Sequence, residues 1–385
     1  MLLTNCKIHT MGSEIIENGF ILIEDKVIKD LGPMENLIYT DENTLDLLGK
    51  NVYPGFIDAH THIGMFENGL AFEGDDGNEE TDPVTPQLRA IDAVNPMDKC
   101  FEEALLAGVT TVITGPGSAN AISGQLICMK TAGKRIDNMI IKSPIAVKFA
   151  LGENPKTVYN NKSQTPMTRM ATAALIREQL FKAREYLQNM NLYLDDSENY
   201  DKPEYDAKCE ALIPLLKREI PAHFHAHRAD DIFTAIRIAK EFNLRYVIVH
   251  ATEAHLIADE IKKENAKVLL GPILCDRSKP ELVNLTISSA SKLKSENIDF
   301  SIITDHPVIP IQYLPLCAGL ATREGLDKYE ALKSITIDAA RILEIDDRVG
   351  SIKVGKDADL AIFDSSPLNI DSKPYMVICN GKIYQ

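Results

Sequence analysis

The chain has 385 residues, 45% of them hydrophobic and 25% charged, so it can bury one large core, or one large and one small core. Its formal net charge is −15, and no run of lysine and arginine could supply the basic face of a nucleic-acid binder. The seven cysteines are odd in number, scattered and without a CxxC pair, which argues against a disulfide framework or a cysteine-based zinc site.

The sequence also carries information about location. Its N-terminus lacks the charged start and long apolar segment of a signal peptide, and no apolar run reaches the roughly 18 residues of a membrane span. We therefore expect a cytoplasmic protein. We expect no nucleic-acid or membrane partner, and we expect the chain to form a homo-oligomer.

Short β-rich segments stand at both ends of the chain. In residues 1–54, apolar runs at 20–23 and 27–28 are separated by Glu24-Asp25-Lys26, a hairpin-like break. In residues 346–385, strand-like runs at 358–363 and 376–379 occur, and Asn380-Gly381 is a strong two-residue hairpin turn. Because each segment is too small to fold alone, we predict one small β-sandwich domain built from both termini.

Residues 55–345 alternate between apolar strand-like runs and stretches with helical periodicity. Strands are predicted at 109–113, 146–150, 222–225, 246–249, 267–270 and 300–303, and an amphipathic helix over 231–239. This alternation predicts an α/β fold with parallel strands, and both a closed barrel and an open doubly wound sheet fit it. The segment 117–125 is interpreted as a loop, either a plain connection or part of the substrate pocket. The polar segment 186–208 is interpreted as an exposed excursion or a helix end.

The first chemical motif is Asp58-Ala59-His60-Thr61-His62 at the end of a predicted strand. Residues two apart on a strand point to the same face, so His60 and His62 project together with Asp58 behind them. Two neighbouring imidazoles can chelate a borderline metal such as zinc. An isolated HxH motif is weak evidence, because many strands carry one by chance.

Further metal-competent residues end other predicted strands. His225, His250 and Asp305 each stand at the C-terminal end of a strand-like run. Barrel enzymes place their reacting groups at these ends. Each residue alone is better explained as a hydrogen-bonded histidine or a capping aspartate, but their recurrence favours a shared metal site.

Lys148 stands within an apolar predicted strand, where a charged amine is costly to bury. A neutral amine could take up CO₂ and become an anionic carbamate that bridges two cations. The alternatives are a lysine whose ammonium reaches solvent at the strand edge, and Glu153 as the ligand instead.

The chain resembles the amidohydrolase superfamily, in the branch related to imidazolonepropionase and Xaa-Pro dipeptidases. The matching motifs are residues 54–62, His225-Ala226-His227, His250, Asp305 and the tail 348–360. The resemblance spans essentially the whole chain. It implies a (β/α)8 TIM barrel over residues 55–345, with a β-sandwich from residues 1–54 and 346–385.

The resemblance also implies one or two divalent metal ions, Zn²⁺ with Mn²⁺ or Fe²⁺ as alternatives. The implied ligands are His60, His62, Lys148 as carbamate, His225, His250 and Asp305. Asp305 is also the expected catalytic acid and base, and Asp58 lies behind the ligands. The candidate substrate contacts are His227, Arg228 and His255, with Arg228 able to bind a carboxylate in a bidentate fork; for each of these, ordinary packing or surface exposure is the alternative.

The resemblance implies hydrolysis of an amide C–N bond of a small-molecule substrate by metal-activated water. In related deaminases and imidazolonepropionases, a glutamate usually stands two residues after the fifth-strand histidine. Here that position is His227, which favours a dipeptide, an acylated amino acid or a cyclic amide as substrate. The alternatives are a one-metal deaminase or imidazolonepropionase-type hydrolase acting on a heterocycle, and a non-catalytic binding protein on the same fold.

Overall fold

A computed structural model gives the fold and describes residues 1–67 and 71–385. Two sheets organise these residues, and we call them the terminal sheet and the barrel sheet. The terminal sheet contains β1 (Leu2–Ile8), β2 (Ile16–Glu24), β3 (Val27–Pro33), β4 (Thr44–Asp46), β5 (Asn51–Pro54), β14 (Leu360–Phe363), β15 (Met376–Cys379) and β16 (Lys382–Tyr384). The barrel sheet contains β6 (Phe56–Thr61), β7 (Val109–Thr114), β8 (Ile122–Lys130), β9 (Ile140–Ala150), β10 (Ala222–Ala226), β11 (Tyr246–His250), β12 (Lys267–Leu270) and β13 (Phe300–Ile302).

Along the chain, most of the α-helices follow strands of the barrel sheet. They are α1 (Lys99–Leu106), α2 (Glu153–Asn161), α3 (Arg169–Asp195), α4 (Ala207–Leu216), α5 (Ala229–Glu241), α6 (Ala258–Lys263), α7 (Ser289–Ser295), α8 (Leu314–Arg323), α9 (Lys328–Ser334) and α10 (Ile337–Leu343). Helix α5 contains the predicted amphipathic helix and buries Ile232, Ala235, Ile236 and Ala239. Helix α3 extends into the polar segment, which confirms its interpretation as a helix end. Within the described residues, no helix combines the length and the apolar character that crossing a bilayer requires.

The terminal sheet joins the two ends of the chain. Strand β5 lies between β1 and β14, so the N-terminal and C-terminal strands are hydrogen-bonded through it. The predicted hairpins are confirmed: β2 pairs antiparallel with β3, and β15 pairs antiparallel with β16. The turn between β15 and β16 holds Asn380 at φ 49° and Gly381 at φ 72°, as the Asn-Gly pair predicts. One hydrogen-bonded sheet includes all eight strands, and the sandwich arrangement stays a prediction.

The barrel sheet is mixed, which corrects the prediction of purely parallel strands. Strand β8 runs antiparallel to both β7 and β9, whereas the other neighbouring pairs are parallel. The loop 115–121 between β7 and β8 is too short for the crossover that a parallel connection needs. Strand β8 also begins at Ile122, so the predicted loop 117–125 ends earlier than its sequence indicates.

The barrel sheet comes close to closure where β6 meets the end of β13. The backbone N–H of His62 donates to the carbonyl of His306 at 2.7 Å. The buried Asp58 carboxylate accepts from the Thr304 hydroxyl and, at 3.3 Å, from the Thr304 N–H. Burial raises the pKa of Asp58 to about 7, against the hydrogen bonds from Thr304 and His60. This seam holds the first and last strands of the barrel side by side.

A buried ionic cluster connects the barrel sheet to the terminal sheet. The ammonium of Lys130, at the end of β8, is paired with Asp359 and lies 2.8 Å from Asp357. Arg348 pairs with Asp357 at 2.8 Å, and Asp359 also accepts the N–H of Asn380. Burial opposes the charge of Lys130, but the two carboxylates raise its pKa above its usual value. Asp357 and Asp359, two residues of the tail 348–360, thus form ionic contacts between the sheets.

Replacing Lys130 with Met should lower the free energy of unfolding by about 3–5 kcal/mol, because Asp359 would remain buried without its cation. Urea denaturation at neutral pH measures this change. Lys134→Met, at an exposed position of the loop that follows β8, is the matched control and should leave the midpoint within experimental error. Equal midpoints for the two variants would contradict a stabilising role for the cluster.

Candidate metal centre

The predicted metal-competent residues lie at one end of the barrel sheet. His60 is in β6 and His62 follows it, while His225 and His250 are at the ends of β10 and β11. Asp305 follows β13, after Thr304. Because parallel strands end at the same rim, these side chains converge, and the structure brings them into two adjacent groups of three.

The first group consists of His60, His62 and Asp305, whose ligand atoms lie within 4.8 Å of one another. The Asp305 Oδ1 atom is 3.6 Å from His60 Nε2 and 3.5 Å from His62 Nε2. His62 Nδ1 is 2.7 Å from the Gly115 carbonyl, which orients the ring so that Nε2 faces the group. All three residues were predicted as ligands from the sequence.

The second group consists of His225, His227 and His250, again with ligand atoms within 4.8 Å. His250 Nδ1 is 2.7 Å from the Gly271 carbonyl, and His227 Nδ1 is 2.7 Å from the Thr252 hydroxyl. The His227 and His250 rings stack with centroids 4.5 Å apart. The sequence singled out His227 as a substrate contact, and the structure groups it with two predicted ligands.

Lys148 lies beneath the two groups and is completely buried. Its Nζ atom is 2.7 Å from His60 Nε2. Burial lowers the pKa of Lys148 to about 7, against the attraction of Asp305, so an appreciable fraction of the amine is neutral near neutral pH. A neutral amine at this position has the nucleophilic lone pair that addition to CO₂ requires. The alternative of a lysine that reaches solvent does not agree with its complete burial.

The unsatisfied polar atoms of the site fit a bound cation. Asp305 Oδ1, His60 Nδ1 and His225 Nδ1 are buried without a hydrogen-bond partner among the described residues. Burial lowers the pKa of His60, His225 and His227 well below the usual value, so these imidazoles are neutral. Neutral imidazoles and a carboxylate are the donors that divalent zinc-like ions prefer.

Backbone conformation marks the same residues. His250 has φ 73° and Asp305 has φ 56°, a left-handed region that side chains other than glycine rarely adopt. Such strain concentrates at functional sites, where the surrounding structure enforces it.

The two groups open into a cavity of about 370 Å³, a volume that suits a small molecule. His62, His225, His227, His250 and Asp305 form its metal-competent wall. Phe66, Leu282, Pro307 and Val308 provide an apolar wall, and Asn78, Ser118, Asn154 and Lys279 provide polar groups. Gly117 and Ser118 also line this cavity, in agreement with the interpretation of their loop as part of the pocket.

Three residues singled out from the sequence lie away from this lining. Arg228 is at the start of α5, and both arms of its guanidinium are bonded to Asp230. His255 is bonded to the Thr252 carbonyl and to the Ser289 hydroxyl. Glu153 is in the first turn of α2, and its backbone N–H donates to Glu281. The structure does not bring these side chains together with the two groups.

Sequence reasoning missed two charged residues in the loop after β12. Glu281 is buried, and its Oε1 atom lies 3.6 Å from His227 Nε2 and 3.9 Å from His225 Nε2. Lys279 lies 2.6 Å from the same oxygen. The loop has no strand or helix periodicity that would have indicated their orientation, and the proline between them was the sole local signal.

His223 was also missed, although its spacing from His225 repeats the HxH pattern. It is buried in β10, and both ring nitrogens have no hydrogen-bond partner among the described residues. Burial, followed by the charge of Lys148, lowers its pKa to about 3. It therefore adds a neutral imidazole below the site.

Comparison with known proteins agrees with this geometry. The sequence pattern of the Amidohydrolase family matches residues 51–384. An amidohydrolase from Thermotoga maritima MSB8 has a crystal structure with TM-score 0.95 and 40% identity, covering 99% of this chain and 98% of that one. A Xaa-Pro dipeptidase with bound methionine shares the fold at TM-score 0.59 and 17% identity, covering 100% of this chain and 99% of that one.

Curated relatives are more distant in sequence. Amidohydrolase tasK of Hapsidospora irregularis is 28% identical over 96% of this chain, which spans only 39% of that longer protein. An imidazolonepropionase of Sphingopyxis alaskensis is 24% identical over 94% of this chain and 91% of its own length. These matches agree with the superfamily branch that the motifs predicted. The chain belongs to the amidohydrolase family and is a hydrolase that acts on carbon–nitrogen bonds.

Proposed function

We propose that this protein hydrolyses an amide bond of a small molecule, a dipeptide, an acylated amino acid or a cyclic amide, with the help of one or two divalent metal ions. The observation that carries the proposal is the convergence of two three-residue donor groups on one cavity. The His60 and His250 rings are 5.7 Å apart between centroids, so the groups adjoin. Zinc is the proposed ion, with manganese or iron as alternatives.

The chain offers a distinct ligand set for each of two cations. His60, His62 and Asp305 would hold one, and His225, His227 and His250 would hold the other. Lys148, after adding CO₂ and releasing a proton, would supply an anionic carbamate beside His60. When bound, a divalent ion supplies a lowered pKa for a coordinated water and polarises the substrate carbonyl.

Asp305 is the residue placed to move the proton. Burial opposes its ionisation, but His250, the neighbouring His62 imidazole and Lys148 lower its pKa below the usual value. The carboxylate is therefore ionised at neutral pH and can accept a proton from the attacking water. It can then donate this proton to the leaving nitrogen, so that carbon–nitrogen cleavage releases a neutral amine.

One-metal deamination or imidazolonepropionase-type hydrolysis of a heterocycle is the second candidate, favoured by the similarity to imidazolonepropionases. A neutral histidine at position 227 is the feature that favours amide hydrolysis with two cations. Metal content separates these cases, because about two ions per chain support the dinuclear proposal and one supports the alternative. A protein that binds no metal and hydrolyses no amide would be a binding protein on this fold.

Asp305→Asn should lower kcat on the best substrate from a panel of dipeptides, N-acyl amino acids and cyclic amides by about 10²–10⁴-fold, because the amide cannot accept the proton. Turnover by the zinc- or manganese-loaded protein measures this. Asp299→Asn, at an exposed position just before β13, should retain activity. Circular dichroism should show both variants folded, and substantial turnover by Asp305→Asn would refute the assigned role.

Lys148→Ala should lower activity more than about 100-fold, beyond the usual effect of losing an outer partner of a metal ligand. Acetate or propionate should restore part of the activity by occupying the vacated position. After incubation with ¹³C-bicarbonate, a carbamate signal should appear in the NMR spectrum of the native protein and be missing from the variant. If Glu153→Ala loses metal and Lys148→Ala does not, Glu153 is the ligand.

His227→Gln should reduce bound metal by about one ion per chain after dialysis, because the second group would keep only two imidazoles. Inductively coupled plasma mass spectrometry gives the stoichiometry. His255→Gln is the control, since His255 lies near Thr252 but outside the cavity lining. An unchanged metal content in His227→Gln would return His227 to its predicted role as a substrate contact.

A further inference from the structure

The cavity of the metal centre contains a polar cluster that the proposed reaction does not use. Lys279 is the sole lysine or arginine among the described residues that line this cavity. It precedes Pro280, which favours an extended backbone, and Lys279 has φ −146° and ψ 158°. Its side chain is about a quarter exposed and lines the cavity, so it is not sealed in the core.

Two neighbours hold the Lys279 ammonium in place. Its Nζ atom lies 2.6 Å from Glu281 Oε1 and donates to Asn154 Oδ1 at 3.0 Å. Asn154 is itself fixed, because its Nδ2 atom donates to the Ser118 hydroxyl at 2.7 Å. An ammonium has three protons, so these contacts leave one donor for a ligand in the cavity.

The ammonium is close to the reacting end of the cavity. The Glu281 oxygen that contacts Lys279 also lies 3.9 Å from His225 Nε2. Asn154 Nδ2 lies 3.5 Å from the same imidazole nitrogen. A single side-chain group therefore separates Lys279 from the second donor group. This separation suits a substrate whose charged end is only a few bonds from the scissile carbonyl.

The groups around Lys279 indicate the charge of the substrate end that would bind there. Glu281 is buried, forms an ion pair with Lys279 through Oε1 and accepts the Glu153 N–H through Oε2, so we assign it the role of positioning Lys279. Asp276, the other carboxylate of this loop in the lining, is exposed at the mouth and accepts the N–H of Arg277. Arg228, expected to bind a carboxylate, is instead paired with Asp230.

We propose that Lys279 binds the carboxylate of the substrate, so that the substrate class is N-acyl amino acids, dipeptides included. This inference rests on the proposed amide hydrolysis and adds the recognition of the leaving amino acid. In such a molecule the carboxylate is separated from the scissile carbonyl only by the nitrogen and the α-carbon. Leu282 and Phe66 line the same cavity and favour an apolar side chain or acyl group.

The test compares N-acetyl-L-leucine with N-acetyl-isopentylamine, which lacks only the carboxylate. For the zinc-loaded native protein, kcat/KM should favour the acid. In Lys279→Met this preference should fall about 10- to 100-fold, the value of one charge-assisted hydrogen bond, mostly through KM. Lys279→Arg keeps the charge and should retain part of the preference, and it keeps the test decisive if Lys279→Met does not fold.

Lys208→Met is the matched control. Lys208 forms an ion pair with Asp82 at 2.6 Å and has a similar exposed fraction, but it lies outside the cavity lining. This variant should keep both the preference and the activity of the native protein. A preference that is undiminished in folded Lys279→Met would overturn the proposal, as would a native protein that prefers the amine derivative or shows no preference.

Equilibrium binding separates this inference from the proposed reaction. Calorimetry with N-methylphosphonyl-L-leucine and with its isopentylamine counterpart reports recognition of the carboxylate without turnover. If binding depends on Lys279 but no amide of the panel is hydrolysed, the proposed function fails while the carboxylate site stands. If amides are hydrolysed but neither probe binding nor kcat/KM depends on Lys279, the carboxylate site fails alone.

Discussion

The seam between β6 and the end of β13 is the constraint on which the site depends. It brings His60 and His62, from the first barrel strand, beside Asp305, from the last. The buried Asp58 carboxylate accepts from the Thr304 N–H and hydroxyl, and the His62 N–H reaches the His306 carbonyl. If β6 and the end of β13 did not lie side by side, Asp305 would be separated from His60 and His62, and the first donor group would lose its carboxylate. Asp58 thus holds the seam together, and His60 and His62, two and four residues further on, provide the candidate ligands.

Burial explains why the donor side chains remain available to a cation. In water, a lysine is protonated at neutral pH and a histidine is partly protonated, and a bound proton blocks the nitrogen lone pair. At this rim, desolvation lowers the pKa of His250 to about 4 and that of Lys148 to about 7. The imidazoles are thereby kept neutral, and Asp305 keeps its charge among them. Each nitrogen that faces away from the cavity in His62, His227 and His250 is bonded to a carbonyl or hydroxyl. The rings are therefore oriented by the protein itself.

Much of the fold and part of the site could be predicted from local patterns. The spacing of His60 and His62 fixed their common face, and the strand ends at His225 and His250 followed from short apolar runs. Strand β8 was not predicted at all, because residues 117–125 were interpreted as a loop, and the short connection between β7 and β8 is the local feature that indicates an antiparallel pair. Lys279 and Glu281 were missed because they lie in an irregular loop, where orientation depends on distant partners such as Asn154. The prediction that Arg228 binds a substrate carboxylate did not consider Asp230, two residues away, with which Arg228 pairs.

The position of β5 in the terminal sheet has a consequence for biosynthesis. One edge of β5 pairs with β1, but its other edge pairs with β14, which is made only after the whole barrel has been translated. At typical translation rates this edge waits roughly 15–60 s for its partner. During that interval the nascent chain exposes unpaired backbone donors and acceptors next to the strand that leads into the barrel. The terminal sheet is therefore completed late in synthesis, and until then this edge of β5 is open to pairing with a strand of another chain.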